Sequence, residues 1–492
     1  MQKSKSLTYK FLITGLAISA LGLGTNSAFA ADVSASDSEG IALTIYNQNF
    51  GLVKDVRKVN LKQGVNFLRF KDVAAAIDPT TVNFMSLTAP NSVVVREQNY
   101  QYDVMDPNTI LSKSVGKTVT FRQFLQGGEK TVTGVLLNPP QVSIVDTSGY
   151  VQQKTMGLVL KTDSGILLNP AGQAELAELP KGLVSKPSLL WKLQTNKQGD
   201  HRTEISYQTK GLNWHCDYVA IANQDDTKAD LTSWVTIDNQ SGAAYQNASL
   251  KLLAGDVHKV EPPIVVLKTM ARGRAAPSAM PQQFTEKAFA EYHLYSLAGT
   301  TNVNNNETKQ MSLFNVNGVP TRKLFIFEPQ QNNYVPYRGR GQTANKVNVK
   351  LEIANNKKNN LGIPLPKGKV RVYKRDDDGA LQFIGEDLID HTPRDEKVRL
   401  YIGDAFDLVG ERKQLSQESP NSRTQKMTIE ISLRNHKDKD VSITAVEHAY
   451  GDWKIENSSH EYKKKDSHTL EFAVNVPAGE EVKINYTIRI RY

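Results

Sequence analysis

The fold of this chain is decided by a stretch at its end in which apolar and polar residues alternate: Val482-Lys483-Ile484-Asn485-Tyr486-Thr487-Ile488-Arg489-Ile490-Arg491-Tyr492. A β-strand points successive side chains to opposite faces, so this alternation places every second apolar side chain on one face. One face is expected to pack on a core while the other meets water, as in antiparallel sheets.

The same alternation recurs in three earlier segments, residues 347–353, 427–433 and 470–476. Residues typical of turns separate such segments: Gln126-Gly127-Gly128, Asn138-Pro139-Pro140, Asp378-Gly379 and Pro477-Ala478-Gly479. The pattern predicts an all-β chain of tandem antiparallel β-sandwich (immunoglobulin-like) and small-barrel units, with little helix apart from a signal peptide.

The terminal strand also allows another interpretation, because alternation up to an aromatic residue, here Tyr492, is typical of outer-membrane β-barrels. Such a barrel needs many strands of about ten residues with a lipid-facing apolar band. The proline-containing and charged loops between the segments favour a closing sandwich strand. The outer-membrane barrel stays an alternative.

Turn density and composition divide the chain into five predicted parts. They are a signal peptide (1–30), an N-terminal β unit (31–105), a small β-barrel-like unit (106–184), a central β-sandwich (185–424) and a C-terminal immunoglobulin-like sandwich (425–492). Within the central sandwich, residues 259–340 are rich in proline, glycine and polar residues, which predicts a loop-rich insertion.

Three predicted strands of the C-terminal half end at an asparagine, at Asn239, Asn355 and Asn435. Asparagine tolerates left-handed backbone conformations and can hydrogen-bond the nearby backbone. We therefore expect these residues to form the corners of hairpin-like units.

The N-terminus has the order of a secretory signal peptide. Lysines precede an apolar run from Phe11 to Leu23, and small residues then lead to Ala30 and Ala31. The run is shorter than the roughly 20 residues of a membrane-spanning helix. We expect cleavage between Ala30 and Ala31 and export to the periplasm, the cell surface or the medium. No transmembrane helix is expected after removal of the signal peptide.

The charge and the cysteine content narrow the class of protein. The formal net charge is +9, but the 60 basic and 51 acidic residues are interspersed, so a nucleic-acid partner is not expected. Cys216 is the only cysteine, which excludes an internal disulfide. Its position between Trp214 and Tyr218 is typical of a small buried hydrophobic residue.

The sequence contains no catalytic signature: no Gly-x-Ser-x-Gly elbow, no His-Glu-x-x-His pair and no phosphate-binding loop. We therefore predict no catalytic, metal-binding or cofactor-binding residues, no cofactor and no enzymatic activity. Catalytic carboxylates can come from distant positions, so a hydrolase acting on envelope carbohydrate or peptide stays an alternative.

A series of motifs runs in order from about residue 41 to the end. The segments are Ile45-Tyr46-Asn47-Gln48-Asn49, Leu52-Val53-Lys54-Asp55-Val56-Arg57, Lys186-Pro187-Ser188-Leu189-Leu190-Trp191, Ser206-Tyr207-Gln208-Thr209-Lys210-Gly211-Leu212-Asn213-Trp214, Asp238-Asn239-Gln240-Ser241-Gly242, Leu253-Ala254-Gly255-Asp256-Val257, Leu361-Gly362-Ile363-Pro364-Leu365-Pro366-Lys367-Gly368 and Arg434-Asn435-His436. In the order of these motifs, the chain resembles members of the bacterial family called domain of unknown function 4139, which is related to mucoidy-inhibitor-like exported proteins.

The resemblance implies an all-β fold with sandwich domains, and no established activity comes with it. No catalytic residue is therefore carried over. The motif residues that we single out are interpreted as structural: Tyr46, Asn47, Trp191, Gly211, Trp214, Tyr218, Asn239, Gly242, Gly255, Pro364, Pro366 and Asn435.

The leading hypothesis is an exported, non-catalytic envelope protein that binds another protein or a polysaccharide. Sandwiches present loops at their ends, and exposed strand edges can add a partner strand.

Overall fold

The computed structural model describes residues 31–103, 105–125, 128–145, 151–180, 183–259, 284–289, 291–329 and 346–492. The predicted signal peptide, with the cleavage residue Ala30, lies outside these residues. So do residues 260–283, 290 and 330–340 of the predicted insertion. Ala31, on the other side of the predicted cleavage point, begins the first strand.

The described residues are almost entirely β-strand. The strands up to residue 175 are β1 (Ala31–Val33), β2 (Ser38–Tyr46), β3 (Phe50–Leu61), β4 (Gly64–Lys71), β5 (Asn83–Ser86), β6 (Val93–Gln101), β7 (Thr118–Leu125), β8 (Gly128–Leu136), β9 (Gln141–Val145), β10 (Val151–Thr155), β11 (Val159–Thr162), β12 (Gly165–Leu168) and β13 (Gln173–Glu175). The next are β14 (Ser188–Thr195), β15 (Gly199–Lys210), β16 (Leu212–Ala222), β17 (Lys228–Asn239), β18 (Tyr245–Ala254), β19 (Phe284–Phe289), β20 (Tyr292–Val303), β21 (Glu307–Phe327), β22 (Lys346–Ala354), β23 (Gly368–Arg375), β24 (Leu381–Ile389) and β25 (Lys397–Asn421). The last are β26 (Thr424–Asn435), β27 (Val441–His448), β28 (Asp452–Ser458), β29 (Lys463–Lys464), β30 (Thr469–Val476) and β31 (Glu481–Arg491).

Helix is sparse in the described chain. It consists of one α-helix, α1 (Pro107–Ser112), and three short 3-10 turns, Ala35–Asp37, Pro79–Thr81 and Lys357–Asn359. The N-terminal end of α1 is capped by Asp106, whose carboxylate accepts from the backbone N–H groups of Asn108 and Thr109. The prediction of an all-β chain is confirmed.

Two sheets combine N-terminal strands with strands from much later in the chain. The first has the order β1-β4-β14-β6, and the second has the order β19-β20-β18-β2-β3-β15-β5. Strand β14 is antiparallel to both β4 and β6, and β15 is antiparallel to β3 along its whole length. The predicted N-terminal unit therefore shares its sheets with residues 188–303.

Residues 106–184 form a smaller unit with its own core. Its five-stranded sheet has the order β12-β11-β8-β7-β13, and β9 pairs with β10 as a separate hairpin. Val119, Phe121 and Leu160 are buried against Leu111 of α1. Strands β12 and β13 stand at the two edges, so the described strands form an open sheet instead of the predicted small barrel.

The largest sheet has the order β24-β23-β16-β17-β21-β22-β25-β26-β31-β28, with β27, β29 and β30 attached through β21. Strand β21 pairs with β17 in its first half and with β22 and β27 in its second. Strand β25 likewise pairs with β22 and then with β26. The part of the predicted insertion that is described consists of β19, β20 and β21.

These long strands connect two apolar cores. The larger core contains side chains of the first and second sheets and of strands β16, β17 and β21–β25 of the large sheet, and it includes Trp191 and Trp214. The C-terminal core contains Ile484, Tyr486 and Ile488 of the terminal strand. Among the described residues, no helix is long and apolar enough to cross a membrane.

Candidate functional site

Three motifs that are far apart in sequence meet at one end of the larger sandwich, which we call the motif-lined end. Its contributors are the end of β2 (Tyr46 and Asn47), the chain after β18 (Gly255) and the segment before β23 (Pro364 and Pro366). The fold therefore brings together segments that are far apart in the chain.

Buried hydroxyl groups fix the proline segment at this end. The Tyr295 hydroxyl donates to the carbonyl of Pro364 at 2.9 Å, and the Tyr218 hydroxyl donates to that of Pro366 at 2.7 Å. Trp214 packs edge-on against Tyr295 with 6.1 Å between ring centroids. Because a proline-containing segment offers carbonyls but few N–H groups, tyrosine hydroxyls are suitable donors for it.

A small polar cluster, defined by Asn47, Asp256, Lys367 and His391, lies at the motif-lined end. The backbone N–H of Lys367 donates to Nδ1 of His391 at 3.2 Å. The Asn47 side-chain amide lies 2.8 Å from Nε2 of the same ring. The Lys367 ammonium lies 3.6 Å from the Asp256 carboxylate. The imidazole thus joins the end of β2 to the start of β23.

The protonation of His391 follows from these contacts. Nδ1 accepts from a backbone N–H, so the neutral ring carries its proton on Nε2. The Asn47 side chain accepts this proton when its amide oxygen faces Nε2. In the opposite orientation of the amide, that oxygen is buried without a hydrogen-bond partner. Burial and the positive charge of Lys367 lower the pKa of His391, which keeps the ring neutral near pH 7.

A groove of about 720 Å³ runs along the outer face of β16, β23 and β24, directly beside the polar cluster. Its lining combines charged side chains with apolar and neutral ones: Asp217, Lys367, Lys369, Arg371 and Asp390, together with His215, Gly368, Leu388 and Ile389. Alternation along β16 explains this lining, since Trp214, Cys216 and Tyr218 point into the core and the residues between them point outward.

Gly368 permits the close parallel pairing of β16 and β23 that forms the floor of the groove. A Cβ atom at residue 368 would lie 1.9 Å from the carbonyl oxygen of Cys216. In the observed register Cys216 is opposite Gly368 and Asp217 is opposite Lys369. Charged side chains of two strands are thereby brought to one surface.

The charges in the groove are paired with one another. Asp217 lies 3.4 Å from Arg371 and 3.3 Å from His215, and it accepts from the Thr236 hydroxyl at 2.7 Å. Lys369 lies 3.1 Å from Glu386. The groove therefore presents donors and acceptors of both signs, an arrangement suited to a polar ligand with many hydroxyl groups.

The described residues offer no candidate metal site. In the part of the chain that the structure describes, no three His, Cys, Asp or Glu side chains are grouped so as to hold a metal ion. Cys216 is fully buried, and burial raises the pKa of its thiol to about 12. The thiol is therefore protonated and inaccessible.

Gly211 and Gly242, two further motif residues, lie at sharp bends of the chain outside the polar cluster. Gly211 has φ +77°, and a Cβ there would lie 2.7 Å from the carbonyl oxygen of Gln240. Gly242 has φ +82° and meets Ala75 in the same way. Glycine is required at both turns because other residues are strained in this conformation and would collide.

Asn239, Asn355 and Asn435 form three equivalent asparagine corners, all fully buried. Each side-chain NH2 donates to two or more carbonyls, such as those of Lys439 and Pro477 for Asn435 at 2.9 and 3.0 Å. Each oxygen accepts a backbone N–H two or more residues later. Side-chain hydrogen bonds therefore stabilise the three corners. The expected left-handed backbone does not occur at these residues but at other asparagines, such as Asn360 with φ 59°.

Trp191 lies in the core of the first sheet, away from the groove. It makes edge contacts with Phe70 and Phe84, and its indole N–H donates to Gln98 at 2.9 Å. Its position supports packing in preference to ligand stacking.

Sequence reasoning did not single out His391, Lys369 or Arg371. The histidines are scattered in sequence, and His391 gains its partners only when residue 47 is brought to it by the fold. For Lys369 and Arg371 a signal was available, because they alternate with the buried Val370 and Val372. What could not be seen is that they share a surface with Asp217.

The fold and the groove define an all-β protein of stacked sheets with a charged groove on one outer sheet face. Residues 203–492 match the family described as Domain of unknown function (DUF4139), and the chain belongs to this family. No curated protein matches the chain. The matched part includes all residues of the groove and all three asparagine corners, whereas Tyr46, Asn47 and Trp191 precede it.

Proposed function

We propose that this protein is an exported, non-catalytic protein of the cell envelope that binds a polysaccharide through the groove on β16, β23 and β24. The groove carries this proposal. Its volume of about 720 Å³ lies in the range of ligand sites. The charged side chains in its lining suit a ligand that is polar along its length.

The paired charges of the groove support binding more than catalysis. A catalytic carboxylate needs access to the reacting bond. The Asp217 carboxylate instead contacts Arg371, His215 and Thr236. Side chains held by one another lose little further entropy when a ligand binds, so they form a preorganised surface.

Export supports a ligand of the envelope. The N-terminal lysines, the apolar run and Ala30 have the order of a cleaved leader. Fractionation of bacteria that produce the full chain, with N-terminal sequencing, should recover a product outside the cytoplasm that begins at Ala31. Recovery of the uncleaved chain in the cytoplasm would contradict export.

Binding is tested with the purified mature protein and a panel of neutral and acidic polysaccharides, by co-sedimentation and calorimetry. The variant Lys369→Met/Arg371→Met should weaken binding about tenfold, because each loses a charged contact and keeps its alkyl chain. Lys454→Met on β28 is the matched control, which removes one lysine far from the groove. Binding of no polysaccharide by the wild-type protein would refute the proposal.

The hydrolase alternative is tested in the same samples. The chain length of each bound polysaccharide, measured by size-exclusion chromatography after long incubation, should stay constant. Shortening that disappears in an Asp217→Asn variant would favour a hydrolase.

A further inference from the structure

A second charged surface lies on the outer face of β21, β22 and β25. Arg322, Glu352 and Arg399 face one another in a row across these three strands. The Glu352 carboxylate lies 3.0 Å from Arg322, 2.8 Å from Arg399 and 3.2 Å from Lys397. We call these three basic residues, together with Lys350 on the same face of β22, the basic face.

One buried carboxylate cannot neutralise this group of cations. The Glu352 side chain is 7% exposed, whereas those of Arg322, Lys397 and Arg399 are 64%, 57% and 46% exposed. Burial alone would raise the pKa of Glu352, but hydrogen bonds from Arg399 and Lys397 and the charge of Arg322 outweigh it and hold the pKa below its ordinary value. The carboxylate is therefore ionised, and at least two positive charges are left over at the surface.

Glu352 also orders the cations. Arg322 contacts it through Nη2 and Arg399 through Nε, and a guanidinium has five N–H donors. Each guanidinium uses one donor on Glu352 in these contacts, so further N–H donors are left for a ligand. Part of the entropic cost of binding an anion is thereby met before the ligand arrives.

The basic face continues toward the groove. Tyr401 follows Arg399 on the same face of β25 and is 40% exposed, with its hydroxyl donating to Asp404 at 2.9 Å. The backbone N–H of Tyr401 donates to Asp387 of β24, which is a wall of the groove, at 2.8 Å. A ligand chain that lies in the groove can therefore extend over an aromatic ring onto the cations.

We propose that the basic face binds the carboxylate or sulfate groups of an acidic polysaccharide, an inference that rests on the proposed function and gives its ligand class. Guanidinium groups bind such anions through two parallel hydrogen bonds. A polymer with repeated charges engages several cations at once, and the tyrosine ring offers a flat surface for a sugar.

The test compares binding of polygalacturonate and of neutral dextran by the mature protein. The variant Arg322→Gln/Arg399→Gln should bind polygalacturonate about tenfold more weakly and dextran unchanged, since two surface ion pairs are lost. Wild-type binding of polygalacturonate should weaken as salt rises above about 0.1 M. Circular dichroism verifies that each variant is folded.

A second variant changes the charge in the other direction. Glu352→Gln removes the negative charge but keeps a side-chain oxygen that can accept from Arg399 and so help to hold it in place. It should therefore strengthen polygalacturonate binding about twofold to fivefold, with the same salt dependence. A structural role alone would weaken binding in both variants, whereas opposite effects support an anion site.

The outcomes separate this inference from the proposed function. Unchanged polygalacturonate binding by Arg322→Gln/Arg399→Gln, with loss in Lys369→Met/Arg371→Met, would overturn the basic face and leave the groove. Failure of the wild-type protein to bind either polysaccharide would overturn both. Loss of binding to phosphatidylglycerol vesicles alone in the arginine variant would assign the surface to anionic lipid instead.

Discussion

Two regions of the molecule hold buried polar side chains in different ways. In the C-terminal sandwich, Glu447 of β27 lies in the core with Arg412 of β25 at 2.9 Å, and it accepts from the Tyr486 hydroxyl of β31 at 2.5 Å. At the motif-lined end, the neutral His391 bonds Asn47 and the backbone of Lys367 beside an open groove. The first arrangement is a charged group sealed by three strands, and the second is an uncharged group next to solvent.

The difference shows that buried polar side chains serve two distinct ends in this molecule. A charge in a dry core must be matched completely, because desolvation makes an unmatched one very costly. A neutral ring at a groove edge tolerates partial exposure and can orient surface residues without that cost. The Glu447 group is therefore expected to affect stability alone, and the polar cluster to affect both stability and the groove.

Breaking the sealed ion pair should have the largest effect. Arg412→Met leaves Glu447 buried with only the tyrosine hydroxyl, and we expect a loss of about 3 kcal/mol in the free energy of unfolding, measured with urea. The double variant Arg412→Met/Glu447→Gln removes the charge as well and should recover much of this loss. Equal stability of the single and double variants would contradict the account.

The asparagine corners provide a comparison within both sandwiches. Asn355→Ala and Asn435→Ala should each cost about 2 kcal/mol, because carbonyls that were hydrogen-bonded are left buried. Asn360→Gly is the control, since Asn360 has φ 59° and glycine accepts this conformation. A larger loss of stability in the control than in the corner variants would mean that backbone conformation governs these turns.

The motif-lined end should contribute a pH dependence to the stability of the protein through His391. The pKa of His391 is lower in the folded protein than in the unfolded chain, so below about pH 6.5 the unfolded chain binds more protons. This part of the stability is present above that pH and is lost as the pH falls. Between about pH 7.5 and about pH 5, the free energy of unfolding of His391→Gln in urea should fall less than that of the wild-type protein. An identical pH profile in both would show that the ring is not held neutral.

An exposed ion pair in the C-terminal sandwich should have the smallest effect. Lys465 lies 2.8 Å from Glu471, and both side chains meet solvent. Lys465→Met should change the free energy of unfolding by less than about 0.5 kcal/mol. A loss similar to that of Arg412→Met would contradict the role assigned to burial.

Much of the fold was predictable because strand periodicity is a local property. The alternation at residues 482–492 and 427–433 predicted two strands of one sandwich, and these strands pair with each other as β31 and β26. The corner residues and their hydrogen bonds to nearby backbone were also predicted from sequence, whereas their bonds to distant carbonyls were not. A side chain that bonds several carbonyls, as Asn435 does across more than forty residues, leaves no local pattern.

The division of the chain into structural units was harder to predict from the sequence. Strand β14 completes a sheet with β4 and β6, and β21 and β25 each belong to two parts of the molecule. Which strands pair in this way depends on the arrangement of all strands in the folded chain, and the composition of one segment does not encode that arrangement.

By itself, the sequence determined the class of fold, since the spacing of apolar side chains allows only strands with one face on a core. It also determined the order of motifs that marks the family. Only the tertiary structure decided that Asp217 and Arg371 share a groove, that Asn47 contacts His391, and that three cations surround Glu352. The first two contacts join segments more than a hundred residues apart, and the third joins neighbouring strands of one sheet. The physical reason is that strand register sets which side chains meet, and no single segment specifies that register.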